Sequence, residues 1–132
     1  DEKDESGTNL KLTINKKRYK ASDKLVSRVT YEPLMGVDSY LNLSLVKNGF
    51  VVADLNTKYD KSLNVYKKEI RLQFTQLLEK FNPGTYGIYI SIHQTTNDHL
   101  IKQIPRVATF IIEGHDKSRD GAVRLDDGWT LI

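Results

Sequence analysis

The stretch SYLNLSLVKNGFVVADLNT, residues 39 to 57, decides the fold. Successive side chains of a strand point to opposite faces, so Leu41, Leu43 and Leu45 share one side while Tyr40, Asn42 and Ser44 share the other. Asn48-Gly49 then separates this run from a second apolar one. Both residues tolerate the positive φ angles of a type I′ turn, whose twist suits a two-residue hairpin. Antiparallel strands over 39–47 and 50–57 are expected.

The same period-two pattern recurs on either side. It appears in NLKLTIN (9–15), KLVSRVTY (24–31), KEIRLQF (68–74), TYGIYISIH (85–93), RVATFIIE (106–113) and AVRLDDGWTLI (122–132), with turn residues between the runs. About eight antiparallel strands of this kind predict an all-β, immunoglobulin-like or jelly-roll β-sandwich. One helical turn is expected in TQLLEKFNPGTY, where apolar residues at 77, 78 and 81 precede the stop signal Pro83-Gly84.

At 132 residues the chain suits one domain. Residues 1–8, DEKDESGT, read as a flexible acidic lead-in, and 9–132 as a single sandwich closed by a terminal strand over 122–132. The opening Asp suggests a piece from the C-terminal side of a longer protein. No run approaches the ~18 apolar residues of a spanning helix, so no membrane insertion is expected. With no cysteine there is no disulfide, thiolate metal site or Cys nucleophile, which fits a cytoplasmic setting.

The net charge is a mild +3, yet Lys11, Lys16, Lys17, Arg18, Lys20, Lys24 and Arg28 crowd a segment whose one acid is Asp23. Such a cluster could attract phosphate, an acidic sugar or nucleic acid. Tyr19 is the only aromatic among these cations, so a solvated strand and turn is the preferred reading and no nucleic-acid partner is expected.

No GxSxG elbow, phosphate-binding loop, HExxH pair or dinucleotide fingerprint occurs. Enzyme activity has no positive support, and no cofactor is expected. His93, His99 and His115 lack the spacing of a metal site. DKSRDGAVRLDD (116–127) imitates a calcium loop, but Arg124 stands at its ninth position, the last ligand is Asp rather than Glu, and strands flank it. A solvated loop is the reading, with no metal. Asn42-Leu43-Ser44 matches a glycosylation sequon, and its place in mid-strand makes it a chance match.

In TYGIYISIH, Ile88, Ile90 and Ile92 are expected inward and Tyr89, Ser91 and His93 outward. If strands 39–47 and 85–93 are neighbours, their outer residues make a polar, partly aromatic surface. Hydroxyls and amides there could bond sugar OH groups while a Tyr ring lies on the sugar's C–H face. An ordinary wet sheet face is the plainer alternative.

Three motifs add a family resemblance. NPGTYGIYISI resembles a PG-x-Y lead into a strand, VVADLNT a fourth strand closing on Asn-Thr, and GAVRLDDGW a final G-x-V-x-L-x-x-x-W strand. In that order they are similar to the carbohydrate-binding C-terminal domain of Wzt, the ATPase subunit of the ABC transporter that exports O-antigen polysaccharide. The resemblance runs from the third strand to the end of the chain. It implies a non-catalytic β-sandwich that reads the modified non-reducing terminus of a lipopolysaccharide O-chain at the cytoplasmic face of the inner membrane. It also implies a homodimer with the last strand exchanged, and a full-length protein partnered by the transporter's membrane subunit.

The resemblance carries over the location of a ligand face: Tyr40, Asn42, Ser44, Asp54, Asn56, Tyr89, Ser91 and His93. For an anionic cap, Arg106, Lys102 or Arg28 could supply the charge-assisted bond. The rival reading is an immunoglobulin-like structural or protein-interaction domain.

Overall fold

The computed structural model describes residues 9–33, 36–59, 68–114 and 123. In chain order the strands are β1 (Lys11–Ile14), β2 (Arg18–Tyr19), β3 (Lys24–Tyr31), β4 (Ser39–Lys47), β5 (Phe50–Asn56), β6 (Ile70–Leu77), β7 (Gly84–Gln94) and β8 (Leu100–Ile112). They form a three-stranded sheet ordered β1-β3-β6 and a five-stranded sheet ordered β2-β8-β7-β4-β5. The fold is the expected all-β sandwich.

Alternation places the core between the sheets. Leu25, Val29, Tyr31 and Ile70 from the smaller sheet join Leu41, Leu43, Leu45, Ile88, Ile90, Ile92, Phe110 and Ile112 from the larger in one buried cluster. Each such Leu or Ile contributes about 1.5–3 kcal/mol through burial. At one end Tyr19 meets the Phe110 ring edge-on at 5.5 Å, and Tyr86 stacks on the same ring at 5.3 Å. The β4–β5 turn is as the dipeptide predicts: Asn48 and Gly49 have φ of 53° and 81°.

Three differences from the sequence reading have physical causes. The expected helical turn is absent: Leu77 ends β6 opposite Lys24, and residues 78–81 form a β-turn closed by the Phe81 amide on the Leu78 carbonyl at 3.0 Å. Leu78 and Phe81 are both buried, and three-residue apolar spacing satisfies a turn as well as a helix. Strand β8 begins at Leu100 rather than 106, and a register shift opposite Tyr89 accommodates Pro105 within it.

Strand β2 was not expected, since two residues carry no period. It is also the one parallel strand of the larger sheet, its ladder running through the Lys17 and Tyr19 carbonyls to the Ile111 and Glu113 amides. The predicted terminal strand 122–132 and the lead-in 1–8 lie outside the described residues, apart from Val123, which bridges Phe81.

The NPGTY motif is a corner. The Tyr86 hydroxyl donates back to the Asn82 carbonyl at 2.6 Å, both groups buried. Beneath it the Lys47 ammonium donates to the Pro83 carbonyl at 3.0 Å and lies 5.6 Å from the Tyr86 ring centre. The corner resembles the tyrosine corner of immunoglobulin-type sandwiches, in which a hydroxyl ties a strand start to the preceding loop.

One buried hydroxyl is less well served. Tyr31 is fully buried, and its oxygen has no hydrogen-bond partner among the described residues. Burial pushes its pKa up to about 12. A raised value means the stabilising neutral form is fully present below the ordinary pKa near 10 and is lost as pH rises through the folded value. Stability should therefore fall by about 1.4 kcal/mol per pH unit between roughly 10 and 12. Tyr31→Phe is expected to remove that loss and to be neutral or stabilising by up to ~1 kcal/mol at pH 7. Urea denaturation of both proteins at pH 7 and pH 11 measures it.

Candidate functional site

The outer face of the five-stranded sheet carries the residues singled out from the sequence. Pairing of β4 with β7 and β5 sets them in rows: Asp54, Ser44 and Tyr89 in one, Asn56, Asn42 and Ser91 in the next, Tyr40 and His93 in a third. Gln103 of β8 extends the middle row beyond Ser91. The inward partners Leu41, Leu43, Ile90 and Ile92 are buried, which fixes the register, because a slip of one residue would turn this face into the core.

Within the rows the side chains bond one another. The Asn42 amide donates to Ser44 Oγ at 3.0 Å. The Tyr40 ring stacks on the His93 imidazole, 5.2 Å between centres and 15° apart in plane. His93 Nδ1 lies 3.2 Å from the Asp98 carbonyl and Nε2 lies 2.9 Å from Ser91 Oγ. A carbonyl only accepts, so Nδ1 carries a proton and donates; in the neutral ring Nε2 then accepts from the Ser91 hydroxyl.

Three residues not foreseen in the sequence close this end of the face. Asp98 accepts from the Tyr40 hydroxyl and from the Lys58 ammonium, both at 2.9 Å, on the same carboxylate oxygen. Lys58 lies 5.6 Å from the Tyr40 ring centre and 5.8 Å from that of Tyr59. Tyr59 is 84% exposed. The Lys58 amide also donates to the Asn56 side chain at 3.1 Å, tying the turn after β5 to the middle row. Asp98 sits at φ 57°, a conformation that Asp tolerates better than most residues, in the Asn97-Asp98 turn between β7 and β8. Strand periodicity is silent on both turns; only their Asn-Asp and aromatic content offered a signal.

The bond from Lys58, then that from Tyr40, holds the Asp98 carboxyl below the usual carboxylate range. The bond to Asp98 raises Lys58. Desolvation, then the bond to Asp98, raises Tyr40. A depressed carboxyl is stabilising above its ordinary pKa near 3.9 and loses that contribution as pH falls through its folded value; a raised lysine is stabilising below ~10.4 and loses it as pH rises further. The Tyr40–Asp98–Lys58 clamp is thus closed from roughly pH 4 to pH 10. Chemical shifts of the Tyr40 and His93 rings should report it opening in acid below that window, and Asp98→Asn should weaken it throughout.

The three cations proposed for an anionic ligand separate. Arg106 is exposed, with φ of 53°, in the β8 bulge opposite Tyr89. Lys102 pairs with the inward-facing Ile92, so its register position is on the core side of the sheet. Arg28 lies on the other sheet altogether, paired with Gln73 of β6. Of the three, only Arg106 stands beside the rows just described. No group of three or more His, Cys, Asp or Glu that could hold a metal occurs among the described residues. His115 and the calcium-like segment 116–127 lie outside them, save Val123.

Two antiparallel-dominated sheets of three and five strands, with a hydroxyl- and amide-rich face on the larger, define an all-β sandwich domain. The solved C-terminal domain of Wzt has this fold: it superposes with a TM-score of 0.62 over 94% of this chain and 81% of that one, at 12% identity. At that identity the likeness is one of fold. No protein-family model matches the sequence, and neither does any curated protein. Among the described residues no helix is long and apolar enough to cross a membrane.

Proposed function

We propose that this domain is a non-catalytic carbohydrate-binding module whose ligand lies on the outer face of the five-stranded sheet. The observation that carries the reading is the register that sets Asp54, Ser44 and Tyr89 beside Asn56, Asn42 and Ser91, with the Tyr40–His93 stack at their end. Amides, hydroxyls and one carboxylate at strand spacing offer both donors and acceptors to successive sugar hydroxyls. The exposed Tyr59 ring offers an apolar surface to a pyranose C–H face. The fold shared with the Wzt C-terminal domain supports the narrower reading. The ligand is then the modified non-reducing terminus of an O-antigen polysaccharide, read at the cytoplasmic face of the inner membrane. There the longer protein would act with the membrane subunit of an ABC transporter. Arg106, in the β8 bulge opposite Tyr89, is the residue proposed to meet an acidic or phosphorylated cap.

Titration of the domain with O-polysaccharide from its own source, intact and stripped of its terminal modification, tests this. Binding confined to the intact chain is expected. No binding to either polymer would favour the protein-interaction reading.

A homodimer is the second element of the proposal. Among the described residues strand β5 is the edge of its sheet, and Phe50, Val51 and Leu55 are exposed along it, an arrangement that suits addition of a strand from another copy. The terminal strand 122–132 is the segment proposed to exchange. Deleting 122–132 should convert a dimer into monomer or aggregate on light scattering; a well-folded dimer after the truncation would remove the exchange.

A further inference from the structure

The cation cluster at residues 11 to 28 is taken apart by the fold. Lys16 pairs with Asp23 at 3.2 Å and Arg18 with Glu113 at 3.0 Å. Lys11 and Arg28 are left on the outer face of the β1-β3-β6 sheet, the side of the sandwich opposite the rows of Tyr40 and Tyr89. There a third cation, far away in sequence, joins them.

Pairing sets Lys11, Thr30 and Arg71 in one row and Thr13, Arg28 and Gln73 in the next. Arg28 is therefore the diagonal cross-strand neighbour of both Lys11 and Arg71, at the ~7–8 Å separation that long side chains span. All three are exposed and line an open trough of about 520 Å³. Among the described residues the one acid in that trough is Glu69, which accepts from Arg71 Nε at 2.6 Å. Arg28 Nε donates to the Gln73 side-chain oxygen at 3.1 Å, which holds its guanidinium over the sheet. Three cations against one carboxylate repel one another in this arrangement, and a bound anion relieves that repulsion. Both guanidiniums keep further N–H donors in the fork geometry that matches phosphate oxygens.

We propose that this trough is a second ligand site, which takes a phosphate group carried on a saccharide. Arg28 and Arg71 bind the phosphate, Lys11 supplies further charge, and Thr13, Thr30 and Gln73 meet the hydroxyls of the attached sugar. A concave floor carrying hydroxyls and an amide between the cations suits a small polar ester better than a flat membrane surface. The trough volume lies within the range of small-ligand sites. The site does not depend on the glycan reading of the opposite face, since no residue is shared.

The test is calorimetric and NMR titration with glucose 1-phosphate, glucose, inorganic phosphate and phosphatidylglycerol vesicles. Glucose 1-phosphate should bind and shift the amides of Lys11, Thr13, Arg28, Thr30, Arg71 and Gln73. Inorganic phosphate should shift the same amides more weakly, and glucose should not. Affinity should fall about tenfold or more in Arg28→Gln and in Arg71→Gln, and should weaken as salt rises from 20 to 150 mM. Thr13→Glu sets a carboxylate at an exposed position on the β1 side of the trough, directly across from Arg28, and should abolish binding with the melting temperature unchanged. Tyr40→Ala, on the opposite face, should leave the shifts that glucose 1-phosphate causes at these six amides unchanged. Glucose shifting the trough amides at concentrations as low as its phosphate does, vesicle binding without glucose 1-phosphate binding, or unchanged shifts of those amides in Thr13→Glu would each overturn the proposal.

Discussion

Gly84→Ala is expected to destabilise the fold by about 3 kcal/mol or more, which would make it among the most damaging single-methyl additions in this chain. Two effects combine. Gly84 has φ of 143°, a region that residues with a Cβ avoid. A Cβ built there also lies 2.9 Å from Lys47 Cε and 3.2 Å from Lys47 Nζ. That lysine is 5% exposed and gives its ammonium to the Pro83 carbonyl, so it has little freedom to withdraw. Relief by rotation would pull the ammonium off its acceptor and away from the Tyr86 ring. Urea midpoints for wild type and Gly84→Ala, compared with Gly49→Ala in the open hairpin turn, separate the two effects. Gly49 has a positive φ but nothing within 4 Å of the added methyl, so it reports backbone strain alone. Equal losses at the two positions would show that the Lys47 contact contributes nothing.

Tyr40→Ala carries the second large expectation. If the five-stranded face binds glycan, losing this ring should cost about 2 kcal/mol of affinity, a factor of about 30. The ring acts in two ways, as a stacking surface beside His93 and as the hydroxyl that holds Asp98 against Lys58. Tyr40→Phe keeps the first and removes the second, and should cost less. Because Tyr40 is half-exposed and its inward neighbours are untouched, the melting temperature should change little in either variant. Unchanged affinity in Tyr40→Ala and in Tyr89→Ala would exclude this face as the glycan site.

The strands were legible where one face of the strand is dry and the other wet. In β3, β4 and β7 burial alternates residue by residue, and their limits match the sequence pattern to within one residue. The hairpin was legible because Asn-Gly narrows the turn to one type. Where the pattern was ambiguous the reading failed. The spacing of Leu77, Leu78 and Phe81 fits a helical turn or a β-turn equally, and the choice falls to the packing of Leu78 and Phe81 into the core. Strand β2 is defined only by its partner β8, and no two-residue segment can announce that in isolation.

By itself the sequence determined which side chains face inward, because a twofold period on a half-buried strand leaves one answer. It thereby placed Tyr40, Asn42, Ser44, Tyr89, Ser91 and His93 outward. Only the tertiary structure decided which of these meet, because register between strands is set by hydrogen-bonded pairs far apart in the chain. It alone brought Lys58, forty residues from Asp98, onto the same carboxylate oxygen as the Tyr40 hydroxyl. It alone moved Arg28 away from that face and set it beside Arg71. Charge clusters along a chain are one-dimensional, whereas the field a ligand meets is summed over strands that only folding brings side by side.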